Sequence, residues 1–258
     1  MSVALLLLLA LQATPTAAPV ITRYTGMAHA RGADSILYRE VHYRYGPQDD
    51  RHELVLYLCP GGKAFARKTL AYGSDPQAPD FALTDARTGY REGVRTQGGQ
   101  RTVYVRNAGA SDTRSARLPA TGTAVIDGGF DAYVRAHWDV LAAGHTLHMH
   151  FLVPSRLRYL RFRIVPQDVH GAQHPRVLHL RLELDRWFAF ALPHIDVTYA
   201  RDTRQLLQYR GLSNIRDRKG RNINVVIRFP TAMRDTKTDA ATLEKARQAP
   251  LDGRCRLD

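Results

Sequence analysis

Beyond the N-terminal leader, apolar and polar positions alternate along much of the chain. SILYREVHYRY (35–45) sets Ile36, Tyr38, Glu40 and His42 against Leu37, Arg39, Val41 and Tyr43. Side chains two apart on an extended chain share a face, so this period predicts a strand. HELVLYLC (52–59) repeats it, with Leu54, Leu56 and Leu58 on one side. KAFARKTLAY, DFALTDA, GYREGVR and QRTVYVRN continue the series, broken by the turn-rich GSDPQAPD and ARTG. NAGASDTRSARLPATGT reads as a loop. Short strands at this spacing predict an antiparallel meander.

One segment changes period. In GFDAYVRAHWDVLAAG (129–144), Phe130, Tyr133, Val134, His137, Trp138 and Leu141 fall on one helical stripe. Asp127 is the expected N-cap, and Gly144 ends the helix with a positive φ. His137 lies within the apolar stripe and reads as a core histidine bonded to backbone.

Three longer strands follow: HTLHMHFLV (145–153), LRYLRFRIV (157–165) and RVLHLRLELD (176–185). Parity sorts their faces. Leu147, Met149, Phe151, Leu160, Phe162, Ile164, Leu178, Leu180 and Leu182 are apolar; His148, His150, Arg161, Arg163, His179, Arg181 and Glu183 oppose them. WFAFALP (187–193) reads as a buried helix or bend, or as a membrane-dipping wedge. IDVTYA and QLLQYRGLS form a hairpin, and NINVVIRF (222–229) is the last strand of the series. Beyond Pro230 the chain is polar, with a short helix over ATLEKARQ. The expected organisation is a signal peptide or anchor (1–18), one β-rich domain (20–230) and a polar C-terminal tail (231–258). The expected fold class is mainly β (α+β). Its curved antiparallel sheet forms a half-barrel or incomplete barrel, with one amphipathic helix on its apolar face.

Composition adds an address and a charge. The run MSVALLLLLALQATPTAAP has the apolar core and small-residue end of a signal peptide; an uncleaved anchor is the alternative. Pro19 obstructs cutting after Ala18, which leaves Ala13 and Ala17. The expected location is therefore the periplasm, or the membrane through residues 3–18. The formal net charge is +13, carried almost wholly by arginine, since lysine occurs only as Lys63, Lys68, Lys219, Lys237 and Lys245. That charge favours anionic partners, although a GC-rich genome yields the same bias. Cys59 and Cys255 fit no zinc or CxxC pattern; in an oxidising compartment they pair, and otherwise Cys59 is a buried thiol and Cys255 a free one.

The chemistry that carries most enzymes is absent from the sequence: it has no GxSxG, HExxH, phosphate loop or dinucleotide fingerprint. The arginine around His148, His150 and His179 argues against a metal. His194 and Asp196 share a strand face without a nucleophile and read as structural. No cofactor is implied, and no nucleic acid is expected because no RNA-binding signature accompanies the basic strands.

The stretch from Gly129 to Pro230 resembles an uncharacterised family of exported, β-rich proteobacterial proteins, a domain of unknown function. GFDAYVRAHWDVLAAG, FLVPSRLRYLRFRI and PHIDVTYARDTRQLLQYRGLSNIRDRKGRNINVVIRFP carry the resemblance. It implies no activity and no catalytic residues. In architecture the chain is also similar to periplasmic half-barrels that sort lipoproteins and hold acyl chains. A helix covers about 10 Å of sheet, less than three strands present. The remaining apolar face needs either other strands or an acyl chain. The expectation is a non-enzymatic envelope protein that binds a lipid-like ligand or anionic envelope component, with peripheral membrane contact. Trp138, Phe151, Leu160, Phe162 and Leu180 would take the tail, and Arg161, Arg163 and Arg181 would stand at the rim for the head. The alternatives are a hydrolase with an unidentified site and a binder of anionic polymers on the arginine face.

Overall fold

A computed structural model describes residues 20–167, 176–187 and 193–257. The first half of the chain is a run of strands: β1 (Ile21–Ala30), β2 (Ile36–Tyr45), β3 (His52–Leu58), β4 (Ala64–Ala71), β5 (Asp80–Asp85), β6 (Tyr90–Gln97), β7 (Gln100–Arg106), β8 (Arg114–Arg117) and β9 (Ala124–Val125). Two short helices, α1 (Gly129–Ala136) and α2 (Trp138–Ala142), interrupt it. Then come β10 (Leu147–Val153), β11 (Arg158–Pro166), β12 (Val177–Leu184), β13 (Ile195–Ala200), β14 (Leu206–Arg216), β15 (Asn222–Arg228), β16 (Arg234–Thr238) and α3 (Ala240–Gln248).

All of these strands belong to one sheet. Its order runs β8-β7-β6-β5-β4-β3-β2-β1-β15-β14-β13-β12-β11-β10-β9, with β16 added on β1. Every pairing is antiparallel except the short β9–β10 contact. The two ends of this order, β8 and β9, are neighbours in sequence, joined only by residues 118–123. Such a link spans at most about 25 Å. A flat sheet of this many strands at ~4.8 Å spacing would separate its edges by roughly 65 Å. The sheet must therefore curl until its ends approach. No ladder joins β8 to β9; side chains bridge the gap instead. The 3-10 turn Pro154–Arg156 lies against β6 and β7. Arg114 donates to the Ser155 carbonyl at 3.4 Å, and Leu152 of β10 joins the core built by β2–β7. The protein is a curved, unclosed, mainly β barrel.

The helical stripe packs where its period places it. Tyr133, Val134, Trp138 and Leu141 are buried with Met149, Ile164, Leu178, Leu180, Leu182 and Tyr199. The helix is not continuous, however. His137 (φ −110°, ψ 23°) separates α1 from α2, and its Nδ1 lies 2.9 Å from the Tyr133 carbonyl, sharing the acceptor that the His137 amide uses. Gly144 closes α2 at φ 90°. Asp127 does not cap: the N-cap is Gly128, without a side-chain hydrogen bond. Asp127 takes a left-handed conformation (φ 44°) that sends its carboxylate elsewhere.

Three further departures follow from context. RSAR, within the expected loop, is strand β8; an edge strand packs on one neighbour only and shows no apolar alternation. Trp187 is exposed, whereas the rest of the expected WFAFAL bend and most of the turn after Gln167 lie outside the described residues. The polar C-terminal residues add β16 to β1 and lay α3 across the outside of β2 and β3, where Leu243 and Ala246 meet Val41, Tyr43, Leu54 and Leu56. Asp239 caps α3 by accepting from the Thr242 amide at 2.6 Å. β15 and β16 share one edge of β1, and between them Phe229 folds over Gly26, where a Cβ would stand 2.5 Å from the ring.

A disulfide joins Cys59, just after β3, to Cys255, with Cα atoms 5.5 Å apart at a sequence separation of 196. The Gly253 amide donates to the Ala64 carbonyl at 2.8 Å beside it. A cross-link over so long a loop removes freedom from the unfolded chain. Cys255→Ser should therefore lower stability by about 2–5 kcal/mol in guanidinium unfolding without reductant. An unchanged midpoint would show that the C-terminal clasp holds without its covalent bond.

Candidate functional site

The curl encloses a cavity of about 400 Å3 between α1 and the inner faces of the strands. Its two sides differ in chemistry. On one side stand Phe130, Phe151, Phe162, Leu182, Ile195 and Leu206. Phe151 meets Phe130 and Phe162 edge-on, with ring centroids 6.4 and 5.7 Å apart. This is the apolar face of β10–β13, less the part that α1 and α2 cover. On the other side, β2, β3, β4, β6 and β14 present charge.

Glu53 is the centre of that charged wall. It is 3% exposed and accepts four hydrogen bonds. Tyr24 Oη (2.9 Å) and His42 Nδ1 (2.7 Å) reach Oε1; Arg44 Nε (2.9 Å) and Tyr72 Oη (3.0 Å) reach Oε2. Cross-strand register explains the meeting, because β3 places Glu53 directly opposite Arg44 of β2, and β2 places His42 opposite Tyr24 of β1. Burial alone would raise the Glu53 pKa; Arg44, then His42, overcome it and hold the carboxyl well below its ordinary range. His42 also lies 3.3 Å from Glu40. Burial disfavours its imidazolium, yet the bonds to Glu40 and Glu53 raise its pKa above the ordinary value. The His42 ring stacks on Tyr24 with centroids 4.4 Å apart.

A second chain of polar groups runs beside the first. Lys68 donates to Asp127 Oδ1 at 2.7 Å, and Asn214 bridges Asp127 Oδ2 (2.9 Å) and Glu92 (2.8 Å). Glu92 also accepts from Tyr90 at 2.6 Å, and Tyr90 in turn from Arg216 at 2.8 Å. Burial, then the Asp127 charge, raises the Glu92 pKa, only partly offset by Tyr90 and Arg216. Lys68 stays charged: burial opposes it, but Asp127 prevails and holds its pKa well above the ordinary value. The left-handed turn at Asp127 thus serves this network rather than the helix.

The residues expected at a ligand site divide among several places. Phe151 and Phe162 line the cavity. Trp138 and Leu180 are buried under the helices, and Trp138 meets Tyr199 edge-on at 6.0 Å. They build the wall rather than the cavity surface. Leu160 faces a separate depression with Arg158, Arg161 and Asp185. The three arginines expected at a rim point to the outer face instead, each tied to a carboxylate. Arg161 pairs with Asp185 at 2.9 Å, Arg163 with Glu183 at 2.6 Å and Arg181 with Asp196 at 2.8 Å. The histidines of that face go to different partners: His148 to Asp185, His150 to Thr123 and His179 to Thr198. Among the described residues no group of three His, Cys, Asp or Glu is placed to hold a metal ion. His194, which lines the cavity, lies 3.4 Å from Asp196.

The pH dependence of the Glu53 cluster has a definite sign. Glu53, held low, contributes stability above its unfolded value of 4.5 and loses it as pH falls through the depressed value. His42, raised above 6.5, contributes fully below 6.5 and loses it as pH rises through its folded value. The natural protein should therefore lose more stability between about pH 5.5 and about pH 8.5 than His42→Gln does, as urea unfolding would read. Glu53→Gln leaves Arg44 and His42 facing a neutral amide and should cost about 3–5 kcal/mol in the same assay. A loss under about 1 kcal/mol would remove Glu53 from its central place.

No family model and no curated protein matches the chain. A solved structure is similar to it, described as the crystal structure of a beta-barrel-like protein of domain of unknown function DUF1849 from Brucella abortus. The identity is 11% and the TM-score 0.49, over 85% of this chain and 98% of that one. An activity does not transfer at this identity.

Proposed function

We propose that the protein is a non-enzymatic envelope protein, exported to the periplasm, whose cavity holds a lipid-like ligand with a polar end. The observation that carries this reading is the division of one cavity into an aromatic-aliphatic side and a charged side. Ligand pockets of a few hundred Å3 are mostly apolar, with few polar groups that fix orientation. Phe130, Phe151 and Phe162 offer a surface that water solvates poorly and a hydrocarbon chain solvates well. The export half of the proposal rests on the leader-like run before Ala18 and is consistent with the disulfide.

A hydrolase is the second reading, and Glu92 is what favours it. A buried carboxyl with a raised pKa at a cavity wall is a common mark of functional sites. Against it, the hydrogen bonds that Glu92 accepts come from structural donors, Tyr90 and Asn214. The polymer-binding reading is weaker, since Arg161, Arg163 and Arg181 already have carboxylate partners.

Native mass spectrometry of the purified protein should show a bound amphiphile that organic extraction removes unaltered. The Phe151→Ala/Phe162→Ala double variant should bind it at least about tenfold more weakly, since each ring contributes some 1.5–3 kcal/mol of apolar burial. A cavity that stays empty with every acyl compound tried would remove the reading; extracted lipid recovered as cleavage products would turn it towards the hydrolase. Cell fractionation with N-terminal sequencing should find the mature chain in the periplasm, beginning between about residue 14 and 20. Recovery from the cytoplasm with Met1 intact would refute export.

A further inference from the structure

We infer that the ligand's polar end is a singly charged anion, a carboxylate or a phosphodiester, received where Arg234 stands beside Arg44 and Arg135 at the charged side of the cavity. This rests on the acyl-ligand reading above and names the chemistry of the head.

The argument starts from partners. Arg44 is held by Glu53 (2.9 Å) and Asp131 (3.4 Å). Arg135 is held by the same Asp131 oxygen at 3.0 Å. Arg234 has no ion pair and no hydrogen bond among the described residues, and its Nε is buried without an acceptor. Its one specific contact is the Tyr24 ring, 4.6 Å from the guanidinium carbon. β16 puts Arg234 directly opposite Tyr24 of β1, so backbone pairing fixes its position at the cavity lining. Arg44 lies over the same ring at 5.1 Å.

A guanidinium in such a place is costly unless something pairs with it. Arg44 and Arg135 make the cost larger, since both repel it and, after burial, depress its pKa. Glu53 is committed to Arg44, and the single charge of Asp131 is shared between Arg44 and Arg135 through Oδ2, while its Oδ1 accepts no hydrogen bond. His42 and Glu40 balance one another at 3.3 Å. The corner is left with one positive charge in excess and a planar fork of donors unused. A carboxylate or phosphodiester oxygen pair meets that fork in bidentate geometry and brings the one charge that is missing. A neutral head gives the fork an acceptor but no charge, and a dianion overshoots. The apolar side of the same cavity receives the chain behind the head.

The inference differs from a structural role for Arg234 in a measurable way. An arginine that holds the fold together would lower the melting temperature when replaced. An arginine that waits for an anion relieves repulsion when replaced, so ligand-free Arg234→Gln should melt no lower than the natural protein. Binding of dodecanoate, dodecanol and lysophosphatidylglycerol should be measured by calorimetry on delipidated protein. Dodecanoate should bind at least about tenfold more tightly than dodecanol, and Arg234→Gln should remove that preference while leaving dodecanol affinity in place. Lysophosphatidylglycerol binding that also falls in Arg234→Gln, and exceeds dodecanoate binding, identifies the phosphodiester as the head; the reverse order identifies the carboxylate. Equal affinity for dodecanoate and dodecanol in the natural protein, or a preference that survives Arg234→Gln, overturns the inference while the acyl reading stands. Failure of all three compounds to bind overturns both.

Discussion

Six residues, 118–123, tie one end of the strand order to the other, and the rest of the architecture answers to that short tether. A long antiparallel sheet twists but need not close. Here the tether brings the ends together without letting them pair, so the sheet becomes a barrel with a gap bridged by side chains. Curling also turns one face of every strand inward. Whatever that face carries must then be packed, paired or filled.

The strands carry different things inward. β10–β13 bring aliphatic and aromatic side chains, which α1 and α2 cover only in part. β1–β6 bring Tyr24, Glu40, His42, Arg44, Glu53, Lys68 and Glu92. Burying such charges is expensive, and removing one partner of a buried pair costs more than the pair gains. The network answers with saturation: Glu53 takes four donors, and Asn214 spans two carboxylates. The amphipathic cavity follows from a chain whose two halves are patterned oppositely and then folded onto a common interior.

The period of the pattern made most strands and the helix legible, and the parity of β10–β12 assigned their inner face. Parity alone was insufficient for β2 and β3. Val41, Tyr43, Leu54 and Leu56 have the look of a core face, and they are one, but the core lies outside the barrel beneath α3. Glu40, His42 and Glu53 have the look of a wet face because alternation reports two faces without saying which is enclosed. The available signal was the apolar pair Leu243 and Ala246 on a C-terminal helix, which needs a sheet face of its own. Arg161, Arg163 and Arg181 misled for a related reason: a carboxylate on the neighbouring strand satisfies each, and cross-strand register is not written in a single strand. Asp127 looked like a cap because it precedes a helix, whereas its left-handed backbone turns it towards Lys68 and Asn214.

The placement of β1 has a consequence for how the chain acquires this structure. β1 is the earliest strand described, and one of its edges is covered by β2 at once. The other edge waits for β15 and β16, some of the last elements made. Contacts this distant in sequence carry a large loop-closure cost before they return any stabilisation, and slow folding is the general result. Until then an open strand edge is free to join another chain. In a protein built this way the earliest described strand completes its pairing only when the last described strands arrive.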